Sequence, residues 1–394
     1  MSLWRSLKWS TAGVFLLLIA VATYAAAISE RDFFGDYPLV ALSQGWVALV
    51  AVGPLLAGWG AWDTARITPW LDATFAGSHC GKALSRLTAP ALLIGVLLPT
   101  AIVIYVAGWP EGPTTALIVL AAGATMAAAA SIGSAIGCVL PRLAAVPVAA
   151  ATAYGVLALG VADPSSAIGR VTVTGLVAPC CNSTEQISPR ALVLAALLAL
   201  LVAGGSMVTL AVPRRRRARA TGLVVTILAT VAAGHLVAQN ISADEKLPAR
   251  TTVTQCRETA DVQVCVWPEH TTELDQATAV VAQARDAATA LGLKMPTQWS
   301  EDPTAGQATF MWTNALTEED HRYAVGIDIA HQLGCTGNGQ DVPVGMLFAD
   351  TMGGAPTYLS QRGSGTEAQF KEITSMTPSQ QSQWLSNHID TCRT

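Results

Sequence analysis

Side chains whose type and spacing could do chemistry are sparse in this chain and fall into two groups. The C-terminal third holds Glu269, His270, His321, Asp328 and His331, the residue types of metal ligation and acid–base work. Zinc peptidases place two histidines four apart on one helix with a glutamate after the first. Here Asp328 and His331 are three apart and no HExxH string occurs, so a solvated helix face is the better reading and no metal site is expected. No GxSxG elbow offers a nucleophile. Trp267-Pro268-Glu269-His270 places a rigid turn at the end of a strand, as a recognition surface or a core corner. The string Gly77 to Ala83 is one residue short of a phosphate loop and lacks its Ser or Thr for magnesium. An enzyme is therefore not the expectation.

The second group is the polar stretch 62–87, which carries Asp63, Arg66, Asp72, Lys82 and Arg86 between two long apolar runs. Runs of that length can cross about 30 Å of hydrocarbon as helices, so the stretch reads as a connection between spans. Its Lys and Arg residues assign it to the cytoplasm by the positive-inside bias.

Composition supports a membrane protein. The chain is 52% hydrophobic and 13% charged, against about 25% charged in soluble domains. Residues 240–394 hold 19 acidic and 9 basic residues, a formal −10 that leaves +6 for the remainder. That break places a domain boundary near Asn240. The basic cluster Arg214 to Arg217 with Arg219 sits between apolar runs, where topology accounts for it, so no nucleic-acid partner is expected.

Uncharged runs predict seven spans, at about 11–28, 39–61, 88–108, 114–139, 143–162, 190–212 and 221–240. Residues 9–29 also fit a signal peptide with small residues near Ala25 to Ala27, and its removal would leave every later loop on the same side. Basic residues alternate between the loops so that the N-terminus is cytoplasmic and the acidic C-terminal segment extracytoplasmic. No carboxylate or lysine falls within these runs, and His235 is the ionisable side chain at depth, so no ion-coupling relay is expected. Gly133 and Gly137, four apart, would let helix backbones approach closely. Residues 171–184 are uncharged but too short to cross, and read either as a re-entrant element or as an outer loop with a short strand.

Residues 243–394 read as a soluble α+β domain. Strands are expected at 253–256 and 262–267 and near 308–312. A helix opened by a Thr272–Asp275 capping box carries Leu274, Ala277, Val281, Ala284, Ala288 and Leu291 on one face. Further helices are expected over 317–333 and after Pro378. Six cysteines fall on the predicted outside: Cys180, Cys181, Cys256, Cys265, Cys335 and Cys392. An even set in an oxidising compartment agrees with the charge-derived topology, with Cys80 and Cys138 at the inner side. Cys256 pairs with Cys265 and Cys335 with Cys392 in this reading, while Cys180 and Cys181 form a vicinal bridge or remain unassigned.

The pattern resembles the transmembrane subunit of an ATP-binding-cassette transporter of the type-2 exporter class. The features that carry the resemblance are an amphipathic stretch 1–10, six spans over 11–212, the polar connection 62–87 and the outer connection 163–189. Trp62-Asp63-Thr64-Ala65-Arg66 looks like the entry into the coupling helix of actinobacterial permeases of this class. The resemblance implies a six-span type-2 permease core. Here that core is followed by a basic loop and seventh span (213–242) and a disulfide-containing extracytoplasmic α+β domain (243–394) like those appended to some actinobacterial permeases. It implies Trp62, Asp63 and Arg66 as ATPase-coupling residues, separate cytosolic ATPase subunits carrying ATP and magnesium, a second permease copy or paralogue, and membrane lipid around the spans. A lipophilic or amphipathic substrate fits the charge-free runs. The competing readings are an envelope receptor or scaffold whose outer domain binds a ligand, and a membrane-bound hydrolase using His270, His321 and His331.

Overall fold

The computed structural model describes residues 12–34, 37–74, 79–109, 112–178, 185–211, 216–250, 252, 254–259, 261–312, 317–335, 341–352 and 371–392. At some of these, including 69–74, 79–92 and 391–392, only the backbone is described. The amphipathic stretch 1–10, Cys180 and Cys181 lie outside them. The chain divides into two compact units, Met1–Ala249 and Arg250–Thr394.

The first unit is helical: α1 (Ala12–Phe34), α2 (Pro38–Gly45), α3 (Leu49–Thr74), α4 (His79–Ala107), α5 (Pro113–Val139), α6 (Arg142–Ala162), α7 (Ala167–Val171), α8 (Val173–Val177), α9 (Pro189–Ala211), α10 (Arg216–Gln239) and α11 (Ala243–Lys246). Among the described residues five stretches are long and apolar enough to span a membrane: Leu39–Thr68, Pro113–Val139, Arg142–Ala162, Pro189–Leu210 and Ala218–Gln239. The first and third expected runs fall in α1 and α4, whose described apolar stretches, Gly13–Ile28 and Leu93–Ala107, are shorter.

Helix α5 lies at the centre, packed against α3 and α9. It is built of Ala, Gly and Ser because bulk is excluded at the crossing with α3. A Cβ on Gly133 would stand 2.0 Å from the Ala57 carbonyl oxygen, and one on Gly137 2.4 Å from that of Ala61. Reciprocally, a Cβ on Gly60 would lie 2.5 Å from the Ala130 oxygen. Around this backbone contact the large side chains Trp46, Trp59, Leu42, Leu49, Leu56 and Ile118 are fully buried.

The described part of the uncharged stretch after α6, as far as Ala178, is helical and holds no strand. Ser166 caps α7 by accepting from the Gly169 amide, and Thr172 caps α8 by accepting from that of Gly175. All five residues of α8 are buried, and Thr174 donates to the Leu157 carbonyl at 2.9 Å. At the same end of the unit, Arg170 donates to the carbonyls of Ala238 and Ile241 and so closes the C-terminus of α10. The compact unit runs past the composition break near Asn240, because the backbone beyond it is held by hydrogen bonds. Ser188 donates to the Lys246 carbonyl, Gln186 to that of Pro248, and the Lys246 ammonium to that of Pro164 at 3.1 Å.

The second unit has its own core on a four-stranded sheet in the order β1-β2-β3-β4. Strands β1 (Gln255–Glu258) and β2 (Gln263–Val266) are antiparallel, and β3 (Gln298–Ser300) and β4 (Ala308–Thr309) continue the sheet in parallel. Cys256 stands opposite Cys265, and the two are disulfide-bonded as expected. Helix α12 (Leu274–Ala290) connects β2 to β3 and buries Ala277, Val281, Ala284 and Ala288. Its start differs from the expected box: Thr272 lies in a 3-10 turn, Pro268–Glu273, and Glu273 occupies the cap position without a side-chain cap. The Pro268 ring favours the tighter turn and delays the α-helix. Helix α13 (Glu318–Gln332) opens with a full Thr317–Asp320 capping box. Helix α14 (Asp341–Thr351), which the sequence reading lacked, packs on α13, and α15 (Pro378–Cys392) ends the unit.

The crossing yields a paired test. Gly133→Ala is expected to lower stability by about 1–3 kcal/mol or more, as overpacking does. Gly123→Ala in the same helix, where a Cβ meets nothing within 4 Å, should be neutral or slightly stabilising. Unfolding temperatures of the two variants in one detergent make the comparison.

Candidate functional site

Helix α3 does not stop where its apolar run ends. It continues through Trp62, Asp63 and Arg66 to Thr74, and the stretch apolar enough to span reaches Thr68. A carboxylate therefore does lie within a candidate span, correcting the expectation that the spans hold none. Several side chains on this part of the helix are engaged locally, although Trp62 Nε1, Asp63 Oδ1 and Thr64 Oγ1 are buried without a hydrogen-bond partner among the described residues. Asp63 is 7% exposed, and its Oδ2 accepts from Trp59 Nε1 at 2.9 Å, one turn earlier. Trp62 is half-buried, and the guanidinium of Arg142, the first residue of α6, lies 3.4 Å from its ring centroid. Arg66 is exposed one turn further on. Arg66 and Arg142 both attract the Asp63 carboxylate. Thr68 donates to the Thr64 carbonyl at 2.7 Å, and its oxygen is 3.7 Å from Cys138 Sγ at the end of α5.

The three expected coupling residues are thus brought together on successive turns, with different exposures. Asp63 is an internal residue, Trp62 is clamped to α6, and Arg66 presents its charge outward. The rest of the 62–87 stretch is mostly helical backbone, to Thr74 and again from His79. Side chains of Asp72, Cys80, Lys82 and Arg86 are outside the described residues.

The second unit disperses its candidate acid–base groups. His270 is buried, and its Nδ1 lies 2.9 and 3.0 Å from the two carboxylate oxygens of Glu301. Glu301 also accepts from the amides of Trp267, at 2.7 Å, and Trp312, at 3.2 Å. Glu269 pairs in a two-pronged bond with Arg250, at 2.7 and 2.8 Å, whose guanidinium covers the Trp267 ring at 4.2 Å. His321 is buried against Trp312, with ring centroids 3.7 Å apart, while Trp312 Nε1 donates to Glu273. Asp328 accepts from the Met311 amide, and His331 is exposed. Among the described residues no three His, Cys, Asp or Glu side chains are grouped to hold a metal.

The sequence reading missed Glu301, the hub of this arrangement. Its one local signal is a carboxylate directly after the buried strand residues Trp299 and Ser300, and its partner His270 is remote in sequence. Burial pushes the Glu301 carboxyl above the usual range, opposed by His270 and the two amides. This is the pattern of a satisfied structural carboxylate. Cys335 is disulfide-bonded; the Cys392 side chain, its expected partner, lies outside the described residues.

Residues 264–393 match a family described as a domain of unknown function, DUF7224. The match includes His270, Glu301, Trp312 and His321 and leaves out Arg250. No curated protein and no solved structure matches the chain.

Asp328 supplies a pH test. Burial raises its carboxyl from 3.8 to about 7, against the opposing Met311 amide and His331. A group raised on folding contributes stability that is complete below its unfolded value and is lost as pH rises through the folded one. The segment 250–394 should therefore lose thermal stability as pH rises through this interval, and Asp328→Asn should flatten that part of the profile. An unchanged slope in the variant would assign the loss to other groups.

Proposed function

We propose that this chain is the membrane-spanning permease subunit of an ATP-driven transporter of the type-2 ATP-binding-cassette exporter class. The observation that supports this best is the continuous α3. One helix carries exposed Arg66, the Trp62–Arg142 clamp and buried Asp63, and runs on into the backbone contact with α5. A force applied near Arg66 by a docked protein is transmitted along this rod, because helix and tight crossing deform little. Separate cytosolic ATPase subunits, holding ATP and magnesium, dock on the 62–87 region in this reading. ATP must then favour one arrangement of the helices over the other by its differential affinity for them. The chain crosses the membrane seven times from a cytoplasmic N-terminus, pairs with a second permease chain, exports a lipophilic or amphipathic substrate, and holds residues 250–394 on the outer side. The short helix α7 and the buried helix α8 fit the re-entrant element of such permeases.

A receptor or scaffold is the competing reading, favoured by the separate core and sheet of the second unit. Purification in mild detergent with identification of companions separates them. The permease reading expects a stoichiometric cytosolic protein with a phosphate loop and measurable ATPase activity. Arg66→Glu and Asp63→Asn should each reduce substrate-stimulated ATPase activity by roughly tenfold, about 1.4 kcal/mol of coupling, with the dimer intact by size. Reproducible absence of an ATPase from an intact dimer would leave the receptor reading.

A further inference from the structure

At one end of the first unit a groove of about 570 Å³ opens between α9 and α10. Its lining includes Arg190, Val193, Leu194, Leu236, Val237 and Asn240. Leu194 and Val237 are half-buried on the core and form its floor, while Val193 and Leu236 stand exposed along its walls. Both helices are candidate spans, and α10 is the least covered of the five, with 6% of its apolar window buried. With both helices spanning a bilayer, the exposed walls meet hydrocarbon, and the groove mouth falls where the candidate spans end, at Pro189 and Gln239. That is the depth of lipid phosphates.

Polarity is distributed along the groove as in a phospholipid. Arg190 and Asn240 lie at the mouth, and the aliphatic residues extend inward from them. Among the described lining residues no carboxylate competes for the guanidinium. Asp163 and Glu245, at the same end, are engaged by Ser165 and Ser166 and by Ser242. The carbonyls closing α10, which would repel an anion, are covered by Arg170.

We propose that this groove holds one anionic glycerophospholipid, its phosphate on Arg190 and an acyl chain along Val193, Leu194, Leu236 and Val237. The site is independent of the transport reading. The test places the full-length protein in nanodiscs of equal phosphatidylglycerol and phosphatidylcholine and counts retained lipids by native mass spectrometry after gentle release. One phosphatidylglycerol per chain should be retained in preference to phosphatidylcholine. Arg190→Gln should lower that preference about fivefold, the value of one basic residue at an anionic surface. Val193→Trp, which fills the groove and leaves Arg190 in place, should abolish retention of either lipid. Arg190 and Val193 are both outside the core, so folding is preserved and is checked by size and melting temperature. A wild-type protein without preference, an Arg190→Gln variant that keeps it, or a Val193→Trp variant that keeps its lipid would each overturn the site and leave only an ordinary lipid annulus.

Discussion

The close approach of α3 and α5 is the constraint on which the membrane unit depends. In a bilayer, apolar side chains gain little by leaving lipid for protein, so packing contact and satisfied polar groups must hold helices together. Gly60, Gly133 and Gly137 supply that contact by removing every atom between two backbones. The large tryptophans and leucines then fill the space beside the crossing. Asp63 can be buried in α3 because the same helix supplies Trp59 as its donor and because α6 begins with Arg142.

The second unit solves a different problem. A small sheet in water must bury a polar strand end, and it does so by giving Glu301 three donors from three separate segments. The carboxylate cross-links the end of β2, the 3-10 turn and the strand-like stretch after β4. Removing it would take one partner from His270 and leave the two amides unsatisfied together, which is why a buried network of this kind is worth more as a whole than pair by pair.

Helix runs, the small-residue crossing and the Cys256–Cys265 hairpin were legible because each is written in local spacing. The end of α3 was not, because a hydropathy change marks where lipid contact ends, whereas a helix stops only when its backbone is interrupted. The 171–184 stretch was ambiguous, since an uncharged run of that length serves helix or strand; in its described part the Thr172 cap opens a helix. Helix α14 escaped because it is buried on nearly every face and has no period, with Pro343 and Gly345 suggesting a loop. Trp62, Asp63 and Arg66 were found as a motif, but their unequal exposure depends on Arg142 and Trp59. Glu301 and His270 could not be paired from sequence, because 31 residues separate them.

The Trp62–Arg142 clamp also has a consequence for biosynthesis. Its two residues are 80 positions apart, so at ribosomal speeds of about 5–20 residues per second the arginine follows the tryptophan by roughly 4 to 16 seconds. For most of that interval Asp63 has only Trp59 and Arg66 as partners, and Gly133 and Gly137 of α5 follow only towards its end. The contacts that hold the polar end of α3 are therefore completed late, when the fifth and sixth helices supply its crossing and its clamp.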